Sequence, residues 1–193
     1  EVRKLVNTCP FRDMHIPGAG VGGHCLPKDS WLFASSLKTV KPRIMTTARE
    51  VNEYMPVRMV ELVKEGLEEA GVELNSAKVA IMGLAFLRDS DDVRNSPSLT
   101  IIDQLNGKVK ELIVHDLMVQ KAYKVPMVQE IEAALTNADC MVIVTDHSGY
   151  FDMDLQSVKK VMRTPLIVDG RNVLNAEAVR SKGFRYLGIG KGK

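Results

Sequence analysis

The sequence predicts an α/β protein in which one long helix is followed by a parallel sheet. Short, unbroken apolar runs are typical of strands covered on both faces, and they occur at residues 79–82, 112–114, 141–144, 166–168 and, as a last strand, 186–189. Segments with helical spacing lie between them, near residues 97–105, 129–136, 154–162 and 173–181. Strands and helices that alternate in this way indicate a doubly wound, Rossmann-like sheet, whose ligands bind beyond the carboxyl ends of the strands.

A long helical pattern precedes the sheet. Apolar residues recur at helical spacing from Pro42 to Gly71, and a glycine is typical of the position just after a helix end. At about 1.5 Å per residue this helix would be about 40 Å long. Pro56 is expected to kink it, because proline cannot donate a hydrogen bond to the carbonyl of Asn52. A core helix would explain the pattern, but its length and its wide, methionine-rich apolar stripe favour a homodimer through this helix. A shorter apolar helix is expected over residues 30–37.

The composition excludes several classes of function. The chain has 193 residues, 45% hydrophobic and 26% charged, which is enough for one full domain and an appendage. A net charge of +2 gives no case for nucleic acid as a partner. No apolar run approaches the roughly 20 residues of a membrane span, so no membrane partner is predicted. The chain starts without methionine or a signal-peptide pattern, which suggests a fragment that begins inside a helix.

The cysteines and histidines point to a reducing compartment and to no metal. Cys9, Cys25 and Cys140 have neither C-x-x-C nor metal-ligand spacing, and the four histidines have none. The predicted location is therefore the cytoplasm, and no metal is assigned. Cys140 lies in an apolar run and is predicted to be an inert core residue, while Cys9 is assigned no role.

Residues 17–29 combine glycines and prolines with a cysteine, a lysine and an aspartate, and they form the main candidate for a reactive site. Glycine permits positive φ and close approach to a ligand, and proline removes a backbone donor, so a loop rather than a helix or strand is predicted here. Three of the glycines match G-x-G-x-x-G, but no buried strand precedes them and Pro27 interrupts the segment after them, which argues against a dinucleotide fingerprint. Cys25 has glycine, histidine and a nearby lysine as neighbours, surroundings that favour a reactive thiol. It is the candidate nucleophile.

This loop resembles the active-site segment of the UDP-glucose/GDP-mannose dehydrogenase family, and the His24-Cys25 pair is more similar to its UDP-N-acetylmannosamine branch than to its UDP-glucose branch. The resemblance implies that two molecules of NAD oxidise the C6 alcohol of a UDP-sugar substrate to a carboxylate. Cys25 would then form a thiohemiacetal and a thioester, and Asp29 would serve as base for the hydrolytic water. Lys28 would meet a cofactor phosphate or the developing anion, and Gly18 and Gly22 would line the substrate.

A second match covers residues 83–97. It is similar to the family's G-L-A-F-K…D-D-x-R-x-S-P, in which the lysine meets the substrate and the arginine lies near the cofactor. The match implies substrate binding by Phe86 and cofactor binding by Arg94. Leu87 occupies the lysine's place, so the following Arg88 is the candidate that supplies the charge to the substrate. Ser96 and Pro97 by themselves predict a helix start, as N-cap and first helical residue.

Further candidates lie at other strand ends and before the loop. Residues 169–172 resemble the family's D-G-R-N segment, which implies that Arg171 approaches the sugar nucleotide. Arg12 is the candidate for the family arginine that reaches the substrate of the neighbouring subunit. The polar pairs and triplets at 115–116 and 145–147 leave two alternatives open, ordinary turn residues or substrate contacts.

The resemblance divides the chain into three parts: the end of a central helical region with the cysteine loop (1–29), dimerisation helices (30–76) and a Rossmann-like UDP-sugar-binding domain (77–193). An NAD-binding domain would precede residue 1, so this fragment is expected to be inactive alone and to bind little or no NAD. The function implied is that of a UDP-N-acetyl-D-mannosamine dehydrogenase. A UDP-glucose 6-dehydrogenase, or a non-catalytic module for sugar-nucleotide binding or dimerisation, is the alternative.

Overall fold

The computed structural model describes residues 2–191 and contains one six-stranded sheet with helices on both faces. All strand pairs are parallel, in the order β3-β2-β1-β4-β5-β6. The strands are β1 (Lys78–Met82), β2 (Glu111–His115), β3 (Met127–Val128), β4 (Cys140–Ile143), β5 (Leu166–Asp169) and β6 (Arg185–Gly188). The predicted doubly wound α/β fold is confirmed. Its strand order reverses between β1 and β4, and this is where ligands of such sheets bind.

Seven α-helices surround the sheet within the described residues: α1 (Val2–Val6), α2 (Cys25–Ser36), α3 (Arg43–Glu69), α4 (Pro97–Leu105), α5 (Ile131–Leu135), α6 (Leu155–Val161) and α7 (Ala176–Ser181). Alternate residues of each central strand point into two apolar clusters. Val79 and Ile81 of β1 pack with α3 and α4 on one face, while Ala80 and Met82 pack with α5, α6 and α7 on the other. Both faces are buried, which explains the unbroken apolar strands.

The long helix α3 divides into two halves with different surroundings. Its second half, from Met59 to Leu67, contributes buried side chains to the sheet core, and Gly66 allows α3 to approach β5, because a Cβ there would lie 2.8 Å from Leu166 Cδ1. In the first half, apolar side chains face solvent: Ile44 is 89% exposed and Val51 is 57% exposed. The helix is continuous through Pro56, and Gly71 follows its end with φ of 72°, as predicted.

The prediction of an irregular segment over residues 17–29 is wrong at its end, because α2 begins at Cys25 and not near residue 30. Pro27 is the third residue of this helix. The N–H groups of the first turn have no intrahelical acceptor, so a proline there removes no helical hydrogen bond. Cys25, Lys28 and Asp29 therefore lie in the first two turns of a helix.

The remaining differences concern short elements and element ends. Strand β3 was not predicted, since two residues leave no apolar run. Helix α5 is shorter than the predicted 129–136, because Glu130 is its N-cap and Thr136 its C-cap. Within residues 2–191, no helix has both the length and the apolar character needed to cross a membrane.

Candidate active site

The glycine loop is held against the loop that follows β1. The N–H of Gly23 donates to the carbonyl of Arg94 at 2.8 Å, and Asn95 Nδ2 donates to the carbonyl of Gly23 at 2.8 Å. Asn95 can reach back because its φ is 49°, in the left-handed region. Two reciprocal hydrogen bonds thus join the residues before Cys25 to the 83–97 segment at the carboxyl end of β1.

Two glycines of the loop are required by close approach. A Cβ on Gly22 would lie 2.6 Å from Phe86 Cβ and 2.6 Å from the carbonyl oxygen of Asn95. A Cβ on Gly18 would lie 2.5 Å from the carbonyl oxygen of Gly170, which follows β5. Real Cβ atoms do not come this close to backbone atoms, so only glycine allows the loop to lie across both strand ends.

The loop is also fixed to α3 and β5. The N–H of Val21 donates to Asn52 Oδ1 at 2.8 Å, and Asn52 Nδ2 donates to the carbonyl of Val21 at 3.3 Å. The N–H of Ala19, a fully buried residue, donates to the carbonyl oxygen of Gly170 at 2.8 Å. The loop therefore has fixed partners on α3, after β5 and after β1, which gives Cys25 a defined position.

Cys25 is the first residue of α2 and is exposed. Its neighbours are charged. Lys28 Nζ lies 3.3 Å from Asp29 Oδ1, and both side chains are about half exposed. The pKa of Arg94, a residue of the loop that hydrogen-bonds Gly23, is raised mainly by its hydrogen bond to Asp92 and to a lesser extent by Cys25. A negative charge at the start of a 12-residue helix is stabilised by the helix dipole.

Arg94 is oriented by Asp92. Nε of Arg94 donates to Oδ1 and Oδ2 of Asp92 at 3.0 and 2.9 Å, and the N–H of Arg94 donates to Oδ1 at 3.0 Å. These hydrogen bonds hold the pKa of Asp92 below its ordinary value. The N–H of Phe86 donates to the Asp92 carbonyl at 2.9 Å, so the same residue also fixes the backbone at Phe86.

Arg88 and Arg171 converge on Asp146, which follows β4. Asp146 Oδ2 accepts from Nε and Nη2 of Arg88, and Oδ1 accepts from Nε and Nη2 of Arg171 at 3.2 and 3.1 Å. Burial alone would raise the pKa of Asp146, but the two guanidinium groups outweigh it and hold the pKa below its ordinary value. The two candidate substrate arginines are therefore neighbours at the point where the strand order reverses.

A buried polar network of Asp116 and His147 holds the backbone next to Arg88. His147 Nε2 donates to Asp116 Oδ2 at 3.1 Å, and His147 Nδ1 accepts from the N–H of Asp89 at 2.9 Å. This pattern requires a neutral imidazole with its proton on Nε2. Burial alone would raise the pKa of Asp116, but His147 and backbone N–H donors hold it far below its ordinary value. Asp89 in turn accepts from the N–H of Ser148 at 2.9 Å, which fixes the residue after Arg88.

The structure brings most of the predicted residues together. Gly18, Gly22, Cys25, Phe86, Arg88, Arg94 and Arg171 all lie along the carboxyl edge of the sheet, where the glycine loop crosses it. Arg12 is exposed, and its side chain makes no hydrogen bond or ion pair with other described residues. Ser96 caps α4 by accepting from the Ser98 N–H, and Pro97 is its first residue, as predicted.

Sequence reasoning did not assign three residues that organise the site: Asn52, Asp92 and Asp146. Asp146 lies in the 145–147 segment, whose position at a strand end was the available signal. His115, Asp116 and His147 are fully buried, and Asp116 stabilises the turn after β2, because its Oδ1 accepts from the N–H groups of Met118 and Val119. Cys140 is buried in β4, and burial raises the pKa of its thiol. In the described part of the chain, no group of three or more His, Cys, Asp or Glu side chains could hold a metal ion.

Two domains of one family match the chain. Residues 1–54 match the central domain of the UDP-glucose/GDP-mannose dehydrogenase family, and residues 80–176 match the UDP binding domain of that family. These segments include the glycine loop with Cys25 and all the strand ends that form the site.

Individual relatives agree with this assignment. A UDP-N-acetyl-D-mannosamine dehydrogenase of Pyrococcus horikoshii is 38% identical over 192 residues, which cover 100% of this chain and 44% of that protein. A UDP-glucose 6-dehydrogenase of Rickettsia bellii is 31% identical over 182 residues, which cover 90% of this chain and 41% of that protein.

Solved structures show the same arrangement. A UDP-D-ManNAc dehydrogenase from Pyrococcus horikoshii has a TM-score of 0.87 at 38% identity and covers 99% of this chain and 44% of that chain. An NDP-N-acetyl-D-galactosaminuronic acid dehydrogenase from Methanosarcina mazei Go1 has a TM-score of 0.87 at 35% identity and covers 98% of this chain and 43% of that chain. The chain thus spans less than half the length of these relatives. From the two matched domains and these similarities, the chain belongs to the UDP-glucose/GDP-mannose dehydrogenase family, and the relatives it resembles are UDP-sugar dehydrogenases.

Proposed function

We propose that this chain forms the cysteine-bearing and UDP-binding part of an NAD-dependent enzyme that oxidises the C6 alcohol of a UDP-sugar to a carboxylate. One observation carries the proposal. The loop that ends in Cys25 lies across the carboxyl edge of the sheet, between Arg94 on one side and Arg171 on the other. A nucleophile and cationic groups for phosphates therefore share the edge at which doubly wound sheets bind ligands.

The chain's own residues divide the chemical work between them. Two molecules of NAD, bound in turn, would each accept one of the two hydrides that the substrate carbon loses, while the proton of the C6 hydroxyl leaves to water. The exposed cations Arg94 and Lys28 fit the phosphates of NAD. The thiolate of Cys25 adds to the carbonyl carbon of the aldehyde, so that a C–S bond forms and the oxygen becomes an alkoxide, which Lys28 stabilises. Loss of the second hydride leaves a thioester on Cys25.

Hydrolysis then restores the enzyme. Asp29 takes a proton from water, the resulting hydroxide attacks the thioester carbon, and the C–S bond breaks to release the carboxylic acid and the Cys25 thiolate. The acid and Asp29 then lose their protons to solvent, which leaves the carboxylate product. Asp29 lies one helical turn after Cys25 in α2, which supports this role. Arg88, Arg171, Phe86, Gly18 and Gly22 would bind the UDP-sugar along the strand ends.

The substrate that similarity favours is UDP-N-acetyl-D-mannosamine, oxidised to UDP-N-acetyl-D-mannosaminuronate. The Pyrococcus relative with that name is 38% identical over the whole chain. UDP-glucose is the second candidate, because a UDP-glucose 6-dehydrogenase is 31% identical over most of the chain. A non-catalytic sugar-nucleotide-binding or dimerisation module is a third, since Leu87 stands where the family motif has a lysine.

We further propose the division into residues 1–29, 30–76 and 77–193, a cytoplasmic location, and a homodimer through α3. Support for the dimer comes from the apolar surface on α2 and on the first half of α3, where Trp31, Phe33, Ile44 and Val51 are exposed. In such a dimer Arg12, which is exposed and unpaired among the described residues, would reach the neighbour's substrate.

Calorimetry with this chain tests the binding part of the proposal. UDP should bind weakly, and NAD should bind hardly at all, because the two family domains that this chain matches are the central domain and the UDP binding domain. NAD binding tighter than UDP binding would contradict the assignment of the sheet to UDP. The non-catalytic alternative is tested by alkylation: selective modification of Cys25 over the exposed Cys9, with a rate that rises with pH, supports catalysis. Equal rates for the two cysteines would favour the non-catalytic module.

A further inference from the structure

Asp146 is a buried carboxylate that contacts both arginines assigned to the substrate. Its side chain is only 8% exposed, whereas those of Arg171 and Arg88 are 20% and 45% exposed. One carboxylate oxygen serves each arginine, and each guanidinium presents the same edge, formed by Nε and Nη2. This side-on pairing on both sides of one carboxylate sets the orientation of both guanidinium planes.

The pairing uses Nε and Nη2 of each guanidinium and leaves the Nη1 atom of each to donate elsewhere. Among residues 2–191, neither Arg88 Nη1 nor Arg171 Nη1 has a hydrogen-bond acceptor. Arg171 Nη1 lies 3.3 Å from the point where a Cβ on Gly18 would be, so it faces the glycine loop. The free Nη1 donor of Arg171 is therefore directed toward the glycine loop, and Arg88, on the other oxygen of Asp146, keeps a second Nη1 donor without an acceptor among the described residues.

Arg88 has further supports that fix its direction. Its guanidinium carbon lies 5.1 Å from the centroid of the Phe151 ring. The next residue, Asp89, adopts a left-handed φ of 51° and is held by His147 and Ser148. The backbone turn at Asp89 thus orients Arg88, the residue after Leu87, toward Asp146.

We propose that Asp146 is a positioning residue that fixes Arg88 and Arg171 as one two-pronged receptor for the diphosphate of a nucleoside diphosphate sugar. The inference rests on the proposed function. Two guanidiniums and one carboxylate leave a net positive charge for the diphosphate, and the rigid donor fork of arginine matches phosphate oxygens. A lysine has a single ammonium group and could not be held through two nitrogens as Arg88 is by Asp146. This accounts for arginine, rather than lysine, as the cation after β1.

The chain contains a matched control at the other end of the same strand. Asp139 precedes β4, is 1% exposed on its side chain, and pairs through both oxygens with Nε and Nη2 of Arg163. Asp139→Asn therefore removes the same kind of buried ion pair, but at the edge of the sheet opposite to the proposed ligand. Loss of stability alone should affect Asp139→Asn and Asp146→Asn alike.

The experiment is calorimetric titration of UDP into the wild type, Asp146→Asn, Asp146→Glu and Asp139→Asn. Asp146→Asn should weaken UDP binding by about tenfold or more, Asp146→Glu should recover part of the loss, and Asp139→Asn should stay within about twofold of the wild type. Binding by Asp146→Asn that equals or exceeds wild-type binding would overturn the inference, because the carboxylate would then be neutral or opposed to the phosphates. A wild type that binds no UDP would contradict the proposed function itself.

A second pair of variants decides the matter if Asp146→Asn does not fold. Arg88 is nearly half exposed, so its replacement should leave the fold intact. Arg88→Lys keeps the charge but loses the side-on edge, and it should weaken UDP binding nearly as much as Arg88→Ala, by about fivefold or more. Wild-type affinity in Arg88→Lys would show that charge alone suffices and would overturn the role of Asp146.

Discussion

Replacing Asp116 by asparagine should destabilise the protein strongly, although the change affects one atom. Asp116 is fully buried and joins the ends of β1, β2 and β4. Its Oδ2 accepts from the N–H groups of Leu84 at 2.6 Å and Ala85 at 3.0 Å and from His147 Nε2 at 3.1 Å, while Oδ1 accepts from the N–H groups of Met118 at 2.8 Å and Val119 at 2.9 Å.

The magnitude is set by the number of donors. Asparagine offers one carbonyl oxygen and one NH₂ group, so in either orientation at least two backbone N–H donors face another donor. A buried unsatisfied donor costs about 1–3 kcal/mol, which gives about 2–6 kcal/mol for the pair. That is a large part of the roughly 5–15 kcal/mol by which a typical domain is stable.

Urea unfolding followed by circular dichroism at neutral pH measures this loss. The control is Asp154→Asn, the same substitution at an exposed N-cap of α6, where asparagine caps equally well and the change should stay within about 0.5 kcal/mol. A loss below about 1 kcal/mol for Asp116→Asn would refute the reasoning, because the five donors would then have found other acceptors.

The pH dependence of the Asp116→Asn effect has a defined sign. The pKa of Asp116 is lowered in the folded state, so its contribution to stability is complete above the unfolded pKa of about 3.9 and is lost as pH falls toward the folded pKa. The difference between the wild type and Asp116→Asn should therefore be constant near neutral pH and should narrow below about pH 4.

Two further predictions concern the dimer and the glycine loop. If the proposed dimer forms, Val51→Asp combined with Met55→Asp should convert it to monomers by light scattering, because charge is placed on the apolar face of α3 at the exposed Val51 and the half-buried Met55. A wild type that is already monomeric at micromolar concentration would contradict the proposed dimer. Gly22→Ala should loosen the loop, because the new Cβ would lie 2.6 Å from Phe86 Cβ, and amide hydrogen exchange at Gly23 should become faster. The control is Gly149→Ala, where the new Cβ meets only the end of the Leu117 side chain and exchange at Gly23 should not change. If the Gly23 amide exchanges as slowly in Gly22→Ala as in the wild type, the close approach is contradicted.

The fold could be predicted from the sequence because local signals and burial agree. Each central strand is covered on both faces, so its apolar run is unbroken and identifies it without knowledge of its neighbours. Local residues also mark two helix ends: Gly71, with positive φ, follows the end of α3, and Ser96 and Pro97 form the start of α4. The start of α2 was hidden, since a proline at the third helical position looks in sequence like a helix breaker.

The chemistry of the site was less accessible to sequence reasoning, because contacts between distant residues decide it. Arg88 and Asp146 are 58 residues apart, and Arg171 is a further 25 residues along the chain. No local pattern reports a carboxylate shared by two such arginines. For His147 and Asp116 the sequence likewise leaves turn residues and substrate contacts open as alternatives, since burial of the strand ends depends on how the following loops fold back.

Covalent trapping at Cys25 tests the central claim most directly. In a protein that carries this chain together with an NAD-binding domain, Asp29→Asn should form the thioester but hydrolyse it slowly, because the water has lost its base. Intact-mass and peptide mass spectrometry after addition of the UDP-sugar and NAD should show an acyl adduct on Cys25, and Cys25→Ser combined with Asp29→Asn should show none. An unmodified Cys25 in an Asp29→Asn variant that folds and binds both ligands would contradict the proposed roles of these two residues.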